Sequence, residues 1–223
     1  MKAQAIVAAV LLLLVPGLSL AAGPISADET GERRLGICAA ISAVPLVAGD
    51  SGPETPLSAT KYNDTFDSGF GLRLELFRDW NPSLRLCLGG VWNGWNGKSF
   101  TGGEFPGGAE FGDFYIAGLY AGGRIAFFRG SRLRPYILGN LGVVYMPSVD
   151  VTTGGKKIPY WGEFLRDFLE LGAGAEYSLS DRAFVFADVR FTAFGAPRGQ
   201  NYPISEATGG QCVPISLGLG FRF

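Results

Sequence analysis

The sequence predicts an all-β fold, an eight-stranded antiparallel up-and-down transmembrane β-barrel. Three observations predict it. Residues 213–223 alternate strictly: Val213, Ile215, Leu217, Leu219, Phe221 and Phe223 are apolar, and Pro214, Ser216, Gly218, Gly220 and Arg222 between them are small or polar. Such alternation puts one face of a strand in oil and the other in a polar or close-packed interior. The same period recurs in seven earlier segments, joined by short and long connections in turn. Finally, 47% of the chain is apolar and only 17% is charged, where average chains carry about 25% charge.

Taken in order, the chain opens on Lys2, an apolar run from Ala5 to Val15, Pro16, and the small residues of Ser19-Leu20-Ala21. The run is too short to cross hydrocarbon, which takes roughly 20 residues. Residues 1–21 therefore read as a signal peptide cleaved near Ala21. No cysteine stands directly after that point, so a lipid anchor is not expected. Residues 22–32 read as a short disordered periplasmic lead and residues 33–223 as the barrel.

Strands are expected near 33–45, 68–78, 83–95, 113–128, 133–146, 164–178, 182–194 and 211–223. Each is long enough for a tilted membrane strand of roughly 9 to 11 residues. Asp79-Trp80-Asn81-Pro82, Arg129-Gly130-Ser131-Arg132 and Leu179-Ser180-Asp181 are tight turns. Long loops are expected at 46–67, 96–112, 147–163 and 195–210. Short turns at one end and long loops at the other are the pattern of outer-membrane barrels. Pro214 lacks an N–H, so regular pairing of the last strand is expected to begin near Ile215.

Facing the apolar residues outward fixes the phase of each strand. It sends Arg73, Arg85, Arg124, Arg190 and Arg222 inward together with Glu75, Glu170, Glu176 and Asp188. The opposite phase would place charges on lipid at about 2–4 kcal/mol per arginine at the midplane. Tyr136, Leu138 and Asn140 also face inward, and Asp167 falls outward, near a loop. Eight strands leave an interior just wide enough for side chains or one small ligand. Nearly balanced signs suit mutual pairing. The nine charges are read as a neutralised plug rather than an ion path.

The chain contains no histidine, which removes histidine-activated nucleophiles and histidine metal sites. Lys61, Lys98, Lys156 and Lys157 all fall in loops, so no Ser-Lys pair is expected. Cys38, Cys87 and Cys212 fall on inward positions without metal-ligand spacing. They are read as small buried residues, with a disulfide between two of them left open. Gly102-Gly103 to Gly107-Gly108 lacks the strand–helix context of a phosphate cradle and reads as a flexible loop. The near-neutral charge argues against nucleic acid as a partner. No catalytic residue, metal or cofactor is expected.

Residues 114–124, 135–142 and the terminal strand resemble the small eight-stranded outer-membrane β-barrel family, the OmpA/OmpX-like barrels. The resemblance covers essentially the whole chain after residue 21. It implies a bacterial outer-membrane location, outer-membrane lipid as surroundings, and a final strand read by the barrel-assembly machinery through Leu219, Phe221 and Phe223. No peptidoglycan-binding module follows the barrel, so the wall-tethering of two-domain members is not expected. The implied role is non-enzymatic: envelope structure or surface interaction through long outer loops whose partner the sequence does not name. The alternative is a narrow porin-like channel or a small-molecule binding or transport barrel. An outer-membrane lipid-modifying enzyme is disfavoured, because barrels of that kind use histidine.

Overall fold

The computed structural model describes residues 34–54, 59–102, 105–127, 131–196 and 209–223. The signal-peptide and periplasmic-lead segments lie outside these residues. Eight long antiparallel strands form the wall: β1 Leu35–Val44, β2 Gly69–Asp79, β3 Leu84–Trp95, β4 Phe114–Ala126, β5 Leu133–Met146, β6 Phe164–Ser178, β7 Ala183–Phe194 and β8 Ile215–Arg222. Each pairs with its sequence neighbour, and β1 pairs with β8 from Gly36 opposite Arg222 to Ala43 opposite Ile215. The sheet is closed, which leaves none of the eight with a free edge.

The wall has two faces of opposite chemistry. Ile41, Leu72, Leu88, Leu119, Leu141, Leu165, Leu171, Val189 and Leu217 are exposed on the outside. The alternate residues are buried, including all nine charges expected to face inward. Trp80, Phe127, Tyr177, Phe221 and Phe223 are exposed near the short-turn end, and Trp92 and Tyr115 lie together near the other, 6.4 Å apart. Among the described residues, no helix is long and apolar enough to cross a membrane.

The short turns close on their own side chains. Asn81 accepts through Oδ1 from the backbone N–H groups of Ser83 and Leu84, both at 2.8 Å. Ser180 Oγ accepts from Ala183 N at 3.0 Å, and Ser131 Oγ from Leu133 N at 3.2 Å. These are the local bonds for which Asn and Ser are favoured in turns.

The long connections differ from the loops expected. Ser99–Gly102, Phe105–Phe111, Val149–Thr153 and Lys156–Trp161 form a separate four-stranded sheet. The segment read as a flexible glycine-rich loop is thus largely a hairpin, with residues 103 and 104 outside the description. Gly154 and Gly155 turn the neighbouring hairpin at φ 54° and 73°, a left-handed pair that matches the twist of the flanking strands. Leu46–Ala48 and Gly210–Cys212 pair with each other, and the latter also pairs with β7. The expected strand 211–223 is therefore broken at Val213-Pro214. Regular pairing does begin at Ile215, and the Pro214 carbonyl accepts from Arg190 N at 2.9 Å.

Candidate functional site: a charged lumen beneath an aromatic cap

Period-two alternation on eight strands carries the inward charges into one narrow space, where they sort into three tiers. Nearest the short turns, Arg85 donates from Nε to Asp79 Oδ1 at 2.6 Å and from Nη1 to Glu176 Oε2 at 3.0 Å. Arg222 Nη2 holds Glu176 Oε1 at 2.5 Å, and Arg134 Nη1 lies 3.4 Å from the same oxygen. In the middle tier, Glu75 accepts from Arg124 Nη2 at 2.5 Å, from the Tyr120 hydroxyl at 3.0 Å and from Cys38 Sγ at 3.4 Å.

Glu170 centres the third tier. It accepts from Arg73 at 2.6 Å, Asn140 at 2.7 Å, Arg190 at 2.9 Å and Thr192 at 3.2 Å. Arg190 also grips Asp188 with two parallel bonds of 2.8 and 2.7 Å, and the Tyr136 hydroxyl donates to the same carboxylate at 2.9 Å. Rings fill the remaining space. Arg85 lies 3.9 Å over Phe77, Arg222 4.4 Å over Phe184, and Arg73 4.9 Å over Tyr120. Cation–π contact suits a guanidinium in a dry interior.

The structure thus brings together all nine charges named from the sequence and adds two. Asp79 was read as a turn residue but is the last residue of β2, with its side chain paired inside to Arg85 and Arg222. It continues the inward parity of Arg73, Glu75 and Phe77, a signal present in the sequence. Arg134 likewise precedes Tyr136 and Leu138 in the inward phase of β5. Cys38, Cys87 and Cys212 are buried free thiols.

Above the charges lies a core that sequence reading missed. Tyr62, Phe66, Trp95, Phe105, Phe111, Phe114, Tyr160, Trp161, Phe168 and Phe194 form one buried cluster. Trp95 stacks on Phe114 with centroids 5.1 Å apart, and its Nε1 donates to the Val44 carbonyl at 2.7 Å. Tyr62 and Phe66 enter from a single helical turn, Tyr62–Thr65, between β1 and β2. The outer four-stranded sheet supplies Phe105, Phe111, Tyr160 and Trp161. The density of aromatics in the supposed loops was the available signal.

The carboxylates are fully partnered, whereas Arg73 Nε and Nη1 and Arg124 Nη1 are buried without a hydrogen-bond partner among the described residues. Each inward carboxylate accepts from at least two donors, so none is left open toward a substrate. A cavity among the charges, between Asp79, Arg124, Tyr136 and Glu176, holds about 10 Å³. A single water needs about that much.

No protein-family model and no curated protein sequence matches this chain. Solved structures do. Neisserial surface protein A aligns at TM-score 0.51 and 16% identity, covering 85% of this chain and 97% of its own. The outer membrane protein OprG from Pseudomonas aeruginosa aligns at TM-score 0.51 and 17% identity, over 88% and 99%. The outer membrane protein AlkL aligns at TM-score 0.51 and 12% identity, over 90% and 95%. The chain has the fold of the small eight-stranded outer-membrane β-barrels.

Proposed function

We propose that this protein is a non-enzymatic integral barrel of the bacterial outer membrane, closed to solutes, that serves envelope structure or surface interaction through its outer sheet. The observation that carries this reading is the double occlusion of the lumen. Three tiers of paired charges fill one half, and an aromatic core fed by the long connections fills the other. A solute path would have to part Arg190 from both Glu170 and Asp188, each pair fully buried. The apolar outer wall, whose exposed charges Arg78 and Asp167 lie toward the strand ends, supports placement in lipid, and the short turns support a periplasmic orientation for that end. Residues 1–21 fit export as a cleaved signal peptide.

Leu219, Phe221 and Phe223 lie exposed on the outer face of the closing strand, where an assembly factor can read them before the barrel shuts. Planar-bilayer recording of the refolded protein tests the closed lumen. No steady conductance is expected, and a stable large conductance would overturn the reading.

A further inference from the structure

The outer wall is not uniformly covered. On the part of the wall formed by β7, β8, β1 and β2 there is an open apolar groove of about 330 Å³. Its lining includes Ile37, Ala39, Leu74, Ala183, Leu219 and Phe221. The small side chains of Ala39 and Ala183 leave the depression, while Leu219 and Phe221 stand as its ridge. Ile37 lies two residues from the pair of Leu35 with Arg78, and Phe221 one residue from the pair of Arg222 with Gly36, so the groove begins within about 7 Å of the short-turn rim at 3.3 Å per residue.

Beneath it the rim is basic. Arg78 is exposed opposite Leu35 on the adjacent strand, and the Arg182 carbonyl accepts from Arg222 N at 2.7 Å. Phe223 N in turn donates to the Leu35 carbonyl at 2.9 Å. These bonds set Arg78 and Arg182 three strand spacings apart, about 15 Å between backbones. Long side chains from both sides reach a group held between them. Neither has a carboxylate at ion-pair distance among the described residues; Arg78 lies 5.8 Å over Trp80. Arg34 sits between them, donating to the Asp181 carbonyl at 3.1 Å. At this end exposed Arg78, Arg132 and Arg182 accompany one exposed acid, Asp181, whereas the opposite end presents exposed Asp64, Asp67, Asp113, Glu163 and Asp167 beside Lys61, Lys156 and Lys157.

We propose that the groove and the arginines below it bind one anionic diacyl phospholipid of the short-turn leaflet. An acyl chain lies along Ala39 and Ala183 between the leucine and phenylalanine ridges, and the phosphate is held between Arg78 and Arg182. The inference rests on the membrane-facing wall of the proposed function. Charge complementarity selects the occupant: an apolar slot alone would take any hydrocarbon, and two guanidiniums without a carboxylate partner among the described residues ask for a phosphate at its mouth.

The test is native mass spectrometry of the protein refolded into vesicles of phosphatidylethanolamine with phosphatidylglycerol, then extracted in mild detergent. One phosphatidylglycerol is expected to stay bound, and phosphatidylcholine in its place is expected to be retained less. Arg78→Ser and Arg182→Ser should each lower phosphatidylglycerol retention about fivefold. Ala39→Phe should abolish retention of either lipid, and Ala183→Leu fills the slot from the other side should the first variant fail to fold. Heat-modifiable gel mobility verifies folding of every variant. Equal retention in the filled and native grooves, or a second copy of the chain in place of lipid, would overturn the site. Failure to enter vesicles at all strikes the membrane reading, whereas insertion without a retained lipid strikes this site alone.

Discussion

Glu170 shows what a buried charge does here. It is fully buried and holds Arg73 and Arg190 at once. Such pairs contribute little net stability against apolar residues of equal volume, but removing one partner strands the other at about 3–5 kcal/mol. Glu170→Ala is therefore expected to lower the denaturant midpoint of the refolded barrel by an amount of that order. Asp79→Ala should cost clearly less, because Arg85 keeps Glu176 and the site lies nearer the rim. Equal effects at the two positions would contradict this ordering. Gly220 illustrates the opposite constraint. A Cβ there would overlap the Phe184 ring, so Gly220→Val is expected to destabilise by about 1–3 kcal/mol in the same titration. The three buried thiols should be silent to maleimide in the folded protein and all react after unfolding without reductant; a lower count would reveal a disulfide. The inward role of each of these side chains was legible from parity alone. Which arginine meets which carboxylate was not, because partners such as Arg73 and Glu170 sit across the lumen on non-adjacent strands.

Among elements, the charges do more for register than for stability. A slip of one residue turns every inward side chain outward. It would move Arg73 and Glu75 of β2, or Glu170 and Glu176 of β6, onto the apolar face. At about 2–4 kcal/mol per lipid-facing arginine, that penalty exceeds any gain from alternative pairing. The outer hairpins obey a different logic. Their register comes from Gly154-Gly155 and from a shared aromatic core, not from lipid. Trp161→Ala is expected to remove about 3–5 kcal/mol from that core. Heat-modifiable mobility of the barrel should survive, since no residue of β1 to β8 is altered. Loss of the folded band would show that the cap and the wall form one cooperative unit. The hairpin around Gly154-Gly155 carried a readable signal, with Val149, Val151, Ile158 and Tyr160 flanking two glycines. The pairing of that hairpin with Phe105–Phe111 joins two connections far apart in the chain, and no local pattern specifies it.

For the molecule as a whole, the orientation predicts who can touch what. Lys157 is exposed at the tip of the outer sheet, and Ser131 is exposed in a short turn. With a membrane-impermeant maleimide on intact cells, Lys157→Cys should label and Ser131→Cys should not. The reverse pattern would invert the barrel. The sequence by itself determined strand number, order, facing and nine of the eleven charges of the lumen network. Each of these follows from a period of two imposed by oil on one side and protein on the other, a constraint every residue feels locally. Only the tertiary structure decided which charges meet and what lies above them. It folds part of the long connections into a sheet whose aromatics join one buried cluster with those of the wall, and it leaves a lateral groove above Arg78 and Arg182. Those outcomes depend on contacts between segments distant in sequence, where packing, and not periodicity, sets the answer.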